Sequence, residues 1–257
     1  MNHQYNNAAA QKNESTILTV RAMSGLSGDM ILSGLSRLGG ADDDSLSALV
    51  RAVLPEKPDI QVKVKPRSVN SIAGWGAKID LPHEHAHRNL PDILNIIEHS
   101  ALDPAAKKLA AAAFNLLAAA EGKVHGKDPA EVTFHEVGAL DSILDICLSS
   151  ALFCQIAPSS FVCSPLPLAD GSVKCAHGRL PTPAPSVLEM LNGVAVCGFD
   201  GQGETVTPTA IALLKTFGAT FGPWPDMIVE SQAVTFGDKI FPGVPNGAIW
   251  AVGLGRA

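Results

Sequence analysis

From Ile17 onward the apolar positions recur with a period of two in some stretches and near 3.6 in others, and the changes mark the elements. Ile17 to Met23 (ILTVRAM) predicts a strand. The loop Ser24-Gly-Leu-Ser-Gly-Asp29 follows. Met30, Ile31, Leu32, Leu35 and Leu38 then form one face of a helix ending at Gly39-Gly40. A second helix is expected over 44–53. Residues 59–64 (DIQVKV) alternate and predict a strand, with 72–81 as its hairpin partner. Pro82-His-Glu-His-Ala-His87 breaks that alternation. Asn89 or Leu90 opens a helix to about His99, and Asp103-Pro104, an N-cap followed by proline at the first helical position, opens one to Val124. Further helices are expected over 136–155 and 183–191, and from Thr207-Pro208 to about Phe217. Short strands are expected at 161–164 and 194–197, and closing strands at 227–235 and 247–253.

Hairpins mixed with crossover helices predict an α/β protein with mixed α+β layers, several helices packing on short mixed β-sheets, rather than an eightfold barrel. No internal repeat is present. Residues 1–16 are polar and read as a disordered tail without a signal-peptide core; 17–257 form the folded region, with a division into two subdomains expected near 82–89. Apolar residues make up 46% of the 257 and charged residues 17%, which supports a sizeable core. Aromatics are only 5%, so that core must be aliphatic and alanine-rich. The net charge of −6 and the lack of a basic stripe exclude electrostatic nucleic-acid binding. Leu109 to Ala120 is interrupted by Asn115 and too short to cross a membrane. Five cysteines with no Cys-x-x-Cys spacing argue for reduced thiols in the cytoplasm.

Four segments carry candidate chemistry. His83, His85 and His87 alternate, so in an extended chain their imidazoles point to one side and converge on one transition-metal ion; a solvated histidine-rich loop is the competing reading. His135, Glu136 and Asp141, with Asp145 one turn further on, form a mixed nitrogen and oxygen set for a divalent metal, or simply acidic groups near a helix start. Asp145 lies among Ile143, Leu144 and Ile146, where an unpaired carboxylate is costly. Lys174, His177 and Arg179 can hold a phosphate or carboxylate, and are otherwise ordinary loop charges. Ser24, Gly25, Gly28 and Asp29 suit an anion at a helix start, as do Thr207 and Thr209; a plain strand-to-helix turn and N-capping explain them equally well. No nucleophile elbow or His-Glu-x-x-His motif supports hydrolysis.

In order, SGLSGDM (24–30), HEHAHRNLPDI (83–93), KVHG (123–126), FHEVGALDSILDI (134–146), SPLPLADGSVKCAHGRLPTPAPSVLEML (164–191) and GETVTPTAIALLK (203–215) resemble the N-terminal part of the LarC family. Those proteins insert nickel into the organic precursor of the nickel-pincer nucleotide, the cofactor of lactate racemase. The resemblance covers nearly the whole chain from Ile17.

It implies a nickel-binding protein that delivers or inserts Ni²⁺ into a thiocarboxylated pyridinium mononucleotide, a lyase-class nickel chelatase where it is an enzyme. His83, His85 and His87 would load nickel, with His135, Glu136 and Asp141 as further metal ligands. The loops holding Ser24 to Asp29, Lys174 to Arg179 and Thr207 to Thr209 would grip the nucleotide. The family also uses CTP with Mn²⁺ or Mg²⁺, expected here through a partner chain carrying the family's C-terminal module, because the sequence ends at Ala257. Arg21 stands where the family carries Asp. A storage or scaffold module without catalysis, a divalent-metal enzyme on another small molecule, and self-association all remain open at the level of sequence.

Overall fold

The first apolar run forms β1 (Thr16–Ala22), and the rest of the fold is arranged around it. The computed structural model describes residues 15–81, 88–134, 138–175 and 178–256. In chain order, the elements after β1 are α1 (Gly28–Leu38), α2 (Asp43–Val53), β2 (Gln61–Val69), β3 (Ile72–Asp80), β4 (Arg88–Asn89), α3 (Leu90–His99) and α4 (Pro104–His125). There follow β5 (Thr133–Phe134), α5 (Leu140–Ile156), β6 (Ser160–Cys163), β7 (Leu166–Asp170), β8 (Ser172–Cys175) and β9 (Gly178–Pro181). The chain continues through α6 (Pro185–Met190), β10 (Val196–Gln202), α7 (Pro208–Thr216), β11 (Thr220–Phe221), β12 (Met227–Thr235) and β13 (Ala248–Gly255).

Seven strands form one mixed sheet in the order β11-β6-β1-β13-β12-β3-β2. β1 runs parallel to β6 and antiparallel to β13, with Val20 opposite both Cys163 and Trp250. The period-two alternation therefore puts Leu18, Val20, Phe161, Cys163, Ala248 and Trp250 on one face, where all are buried. The α/β class expected from sequence holds.

α1 lies against that face. Gly34 is what allows the approach: a Cβ there would fall 2.4 Å from Trp250 Cε2. The indole is fully buried, and its Nε1 donates to Thr235 Oγ1 at 3.0 Å. At the far end of α1 the Arg37 guanidinium stacks on Trp75 of β3 at 3.9 Å. α4, α5 and α7 form a second layer around Phe114, Leu117, Leu144 and Leu213. Ala106, Ala110, Ala113 and Ala118 let α4 pack closely, as the aromatic-poor composition anticipated. Asp103 caps α4 by accepting from Ala105 N at 2.8 Å, and Gly126 ends it in the left-handed conformation.

Several boundaries differ from expectation. β1 already includes Thr16. β2 continues through Pro66 to Val69; it is an edge strand, where a missing N–H can be tolerated. α5 begins at Leu140 rather than Glu136. Gly138 is pressed against Phe134, where a Cβ would lie 2.8 Å from Phe134 Cβ, and Ala139 is still extended. The strand expected at 194–197 runs over Val196–Gln202 and pairs in parallel with β7. β7, β8 and β9 carry too little alternation to stand out.

Gly34→Ala is expected to destabilise the fold. Alanine gains ~1 kcal/mol in helix propensity, but overpacking a buried ring costs ~1–3 kcal/mol, so a net loss is predicted in urea titrations. Combined with Trp250→Phe the loss should shrink, which a double-mutant cycle reads directly.

Candidate functional site

Two strand-to-helix loops of the predicted anion-binding type lie side by side. Leu26 and Val206 form a parallel bridge. Leu26 N donates to Thr205 O at 2.9 Å, and Thr207 N donates to Leu26 O at 3.1 Å. Each loop leads directly into a helix, α1 after Ser27 and α7 after Thr207, so two helix N-termini are held together. Gly25 makes this pairing possible. Its φ is +128°, and a Cβ there would lie within bonding range of the Thr205 carbonyl. Ser24 Oγ anchors the loop from below by accepting from Gly247 N at 3.2 Å.

The loop pair opens on a cavity of about 230 Å³. Ser24, Gly25, Asp29 and Thr207, all expected from sequence, line it. The connection between β12 and β13 supplies the opposite wall, including Asp238 and Lys239. Lys239 Nζ donates to the carbonyls of Gln202 and Glu204, both at 3.0 Å, and lies 4.6 Å from the Phe241 ring centre. Partial burial lowers its pKa, against the opposing pull of Glu204. Lys239 has no signal in the sequence beyond the glycine-containing run 237–247, whereas Glu204 falls within the segment 203–215 singled out above, though with no role given to its carboxylate.

Ser27 is the N-cap of α1, yet its hydroxyl donates to Asp29 Oδ1 instead of capping an amide. Burial raises the Asp29 pKa; the Ser27 bond opposes this, and Asp238 adds to it. Gly28 and Thr209 pack on Asp145 behind the cavity: a Cβ on Gly28 would lie 2.7 Å from Asp145 Oδ2 and 2.8 Å from Thr209 Cγ2. Asp145 is raised well above the ordinary carboxylate range, first by burial and then by Asp29 and Asp141.

A second cavity of about 250 Å³ adjoins the first, and Glu204 lines both. Phe134, Val173, Leu180 and Val124 give it apolar walls, and Lys174 and Cys175 bring polar groups. His125 at its edge lies 3.4 Å from Glu121. Lys174 and Arg179 are direct cross-strand partners in the β8–β9 hairpin, so two cations share one side of it. Like charges placed opposite each other are unfavourable alone and favour an anion between them. Arg179 is exposed and does not line the cavity.

The histidine-bearing segments lie outside the described residues: His83, His85 and His87, then His135 and Glu136, and also His177. Their described neighbours are informative. Arg88 pairs with Phe134 in the β4–β5 ladder, so the described residues that adjoin two of these segments lie side by side. Phe134 and Cys175, which precede two of these segments, both line the second cavity. Asp141 is exposed in the first turn of α5, with its carboxylate accepting from Ser142 N at 2.7 Å. It sits one turn from Asp145 and is not gathered into either cavity. Among the described residues no group of three or more His, Cys, Asp or Glu side chains is placed to hold a metal ion. Arg21 donates to Gly222 O at 2.9 Å and lies 5.7 Å from the Trp224 ring, away from both cavities. All five cysteines are free, and no helix among the described residues is long and apolar enough to cross a membrane.

Burial of Asp145 has a pH signature. Its folded pKa is raised, so no penalty exists below about pH 4, where folded and unfolded chains are both protonated. As pH rises the unfolded carboxyl ionises first and stability is lost until the folded pKa is passed. In EDTA, Asp145→Asn should therefore raise the melting temperature near neutrality, with the gain vanishing toward pH ~4. Differential scanning fluorimetry across that range checks it.

The sequence model of the family described as "Nickel insertion protein" matches residues 18–251. A "Putative nickel insertion protein" of Geotalea daltonii is 36% identical over 230 residues, covering 90% of this chain and 59% of the relative. The "Pyridinium-3,5-bisthiocarboxylic acid mononucleotide nickel insertion protein" of Staphylococcus epidermidis strain RP62A is 36% identical over 223 residues, covering 86% of this chain and 55% of the relative. The chain thus spans little more than half the length of these curated relatives. No solved structure matches it.

Proposed function

Because this chain belongs to the nickel insertion protein family, we propose that it binds Ni²⁺ as cargo and presents it to a thiocarboxylated pyridinium mononucleotide. The observation that carries the reading is the pairing of two helix N-termini beside an adjoining apolar cavity. A mononucleotide has one phosphate, one ribose and one flat ring. The loop pair, with Lys239 beside it, supplies amides, hydroxyls and a cation for the phosphate. The second cavity supplies apolar walls for the ring, with Lys174 and Arg179 near its rim for the thiocarboxylates.

In this reading nickel is loaded on His83, His85 and His87, with His135, Glu136 and Asp141 as further metal donors. Imidazole holds nickel, while the softer sulfurs of the nucleotide compete for it once the ring is seated. Transfer then runs from nitrogen to sulfur, and the protein contributes orientation and exclusion of water. A storage role would make no use of the paired loops.

CTP and its Mn²⁺ or Mg²⁺ are assigned to the portion of the family's length that lies outside this chain, whether continuous with it or on a partner. The five unpaired thiols fit a cytoplasmic setting. Calorimetric titration with NiCl₂ tests the loading site. His83→Ala/His85→Ala/His87→Ala should weaken nickel binding at least ~100-fold, as expected when three imidazole ligands are lost. Unchanged binding would move the nickel site off that segment.

A further inference from the structure

Asp145 Oδ1 is sealed from solvent and has no hydrogen-bond partner, as do the hydroxyls of Ser149 and Ser150 on the same helix. A sealed carboxylate oxygen is far more costly to leave unpaired than a hydroxyl. The charges that act on Asp145 are Asp29 and Asp141, both of its own sign. None of the ion pairs among the described residues involves Asp29 or Asp145. Gly28 makes room for the arrangement, because a Cβ there would lie only 2.7 Å from Asp145 Oδ2. Asp145 is thus packed against Gly28 in the first turn of α1, beside Thr209 of α7; Asp29, whose charge it feels, follows Gly28 in sequence, and no ion pair among the described residues balances the two carboxylates.

We propose that Asp29 and Asp145 jointly hold one hard divalent cation, of the Mg²⁺ or Mn²⁺ class, at the junction of α1, α5 and α7. The donors are all oxygen: two carboxylates, with the Ser27 hydroxyl bonded to Asp29. That set suits a hard ion rather than nickel delivered from histidine, and Mg²⁺ is commonly held by one or two carboxylates while keeping several waters. The positive ends of α1 and α7 oppose a bare cation, but each amounts to about half an elementary charge against two full carboxylate charges. The same helix ends favour an anion beside the metal, so the cation would bridge the two carboxylates to a phosphate in the adjoining cavity. This site is separate from the proposed nickel ligands and stands on different residues.

Mn²⁺ titration of the metal-stripped full chain, followed by electron paramagnetic resonance, tests the assignment. One Mn²⁺ per chain is expected, displaced by excess Mg²⁺, free of nitrogen coupling, and weakened at least tenfold in Asp145→Asn and in Asp29→Asn. Mg²⁺ should raise the melting temperature of the parent chain and not that of Asp145→Asn. His83→Ala/His85→Ala/His87→Ala should leave Mn²⁺ binding unchanged, which separates this result from the nickel titration. Absence of bound Mn²⁺, nitrogen coupling to it, or unaltered binding in both Asp variants would overturn the proposal; the pair would then be carboxyls sharing a proton.

Discussion

The backbone pairing of Leu26 with Val206 is the constraint on which the rest of the site depends. It ties a loop that leaves the interior strand β1 to a loop nearly two hundred residues later in the chain, and it sets the N-termini of α1 and α7 side by side. Gly25 permits it, since no other residue could place its backbone against the Thr205 carbonyl. Once the two helices are fixed, Gly28 and Thr209 enclose Asp145, and Ser24 ties the pair to the β12–β13 connection through Gly247. That connection brings Lys239 to the cavity wall. A local hydrogen-bonding requirement therefore positions residues from four separate parts of the chain.

The sheet supplies the rigidity this needs. β1 sits between a parallel neighbour and an antiparallel one, and Trp250 presents a flat face on which α1 rests through Gly34. The helix cannot rotate or withdraw without disturbing a fully buried indole, so the position of Asp29 is set from within the core. The β8–β9 hairpin is tied at its base by Thr182 N donating to Gly171 O, while its cross-strand cations Lys174 and Arg179 are exposed and mutually repelling. The site thus combines a rigid end, at the loop pair, with an end whose charges are best balanced when an anion is present.

Much of this was legible in the sequence, for identifiable reasons. Asp103-Pro104 and Thr207-Pro208 announce helix starts through capping chemistry that acts locally, and α4 and α7 begin where expected. β12 and β13 fall nearly where the sequence places them, despite the register shift between Val229 and Ser231. The glycines at 25 and 28 marked a special turn, but not its partner, because pairing between residues so distant leaves no local trace. Asp238 and Lys239 leave no local trace for the same reason, and neither does the place of the Glu204 side chain between the two cavities. The start of α5 was read too early because Gly138 serves a close contact with Phe134 that only the fold reveals. Asp145 was recognisable as a carboxylate among aliphatic neighbours, yet its relation to Asp29 depends on how α1 meets α5.

The central claim is that the paired loops and the adjoining cavity receive one pyridine mononucleotide. Hydrogen–deuterium exchange with and without nicotinate mononucleotide, as a stand-in for the substrate, tests it most directly. The account predicts slowed exchange in Ser24 to Asp29, in Glu204 to Thr209 and in the β8–β9 hairpin, with no change in the groove that Leu94, Glu98, Lys107 and Asn115 line between α3 and α4. Slowed exchange confined to that groove, or none in the paired loops, would contradict it.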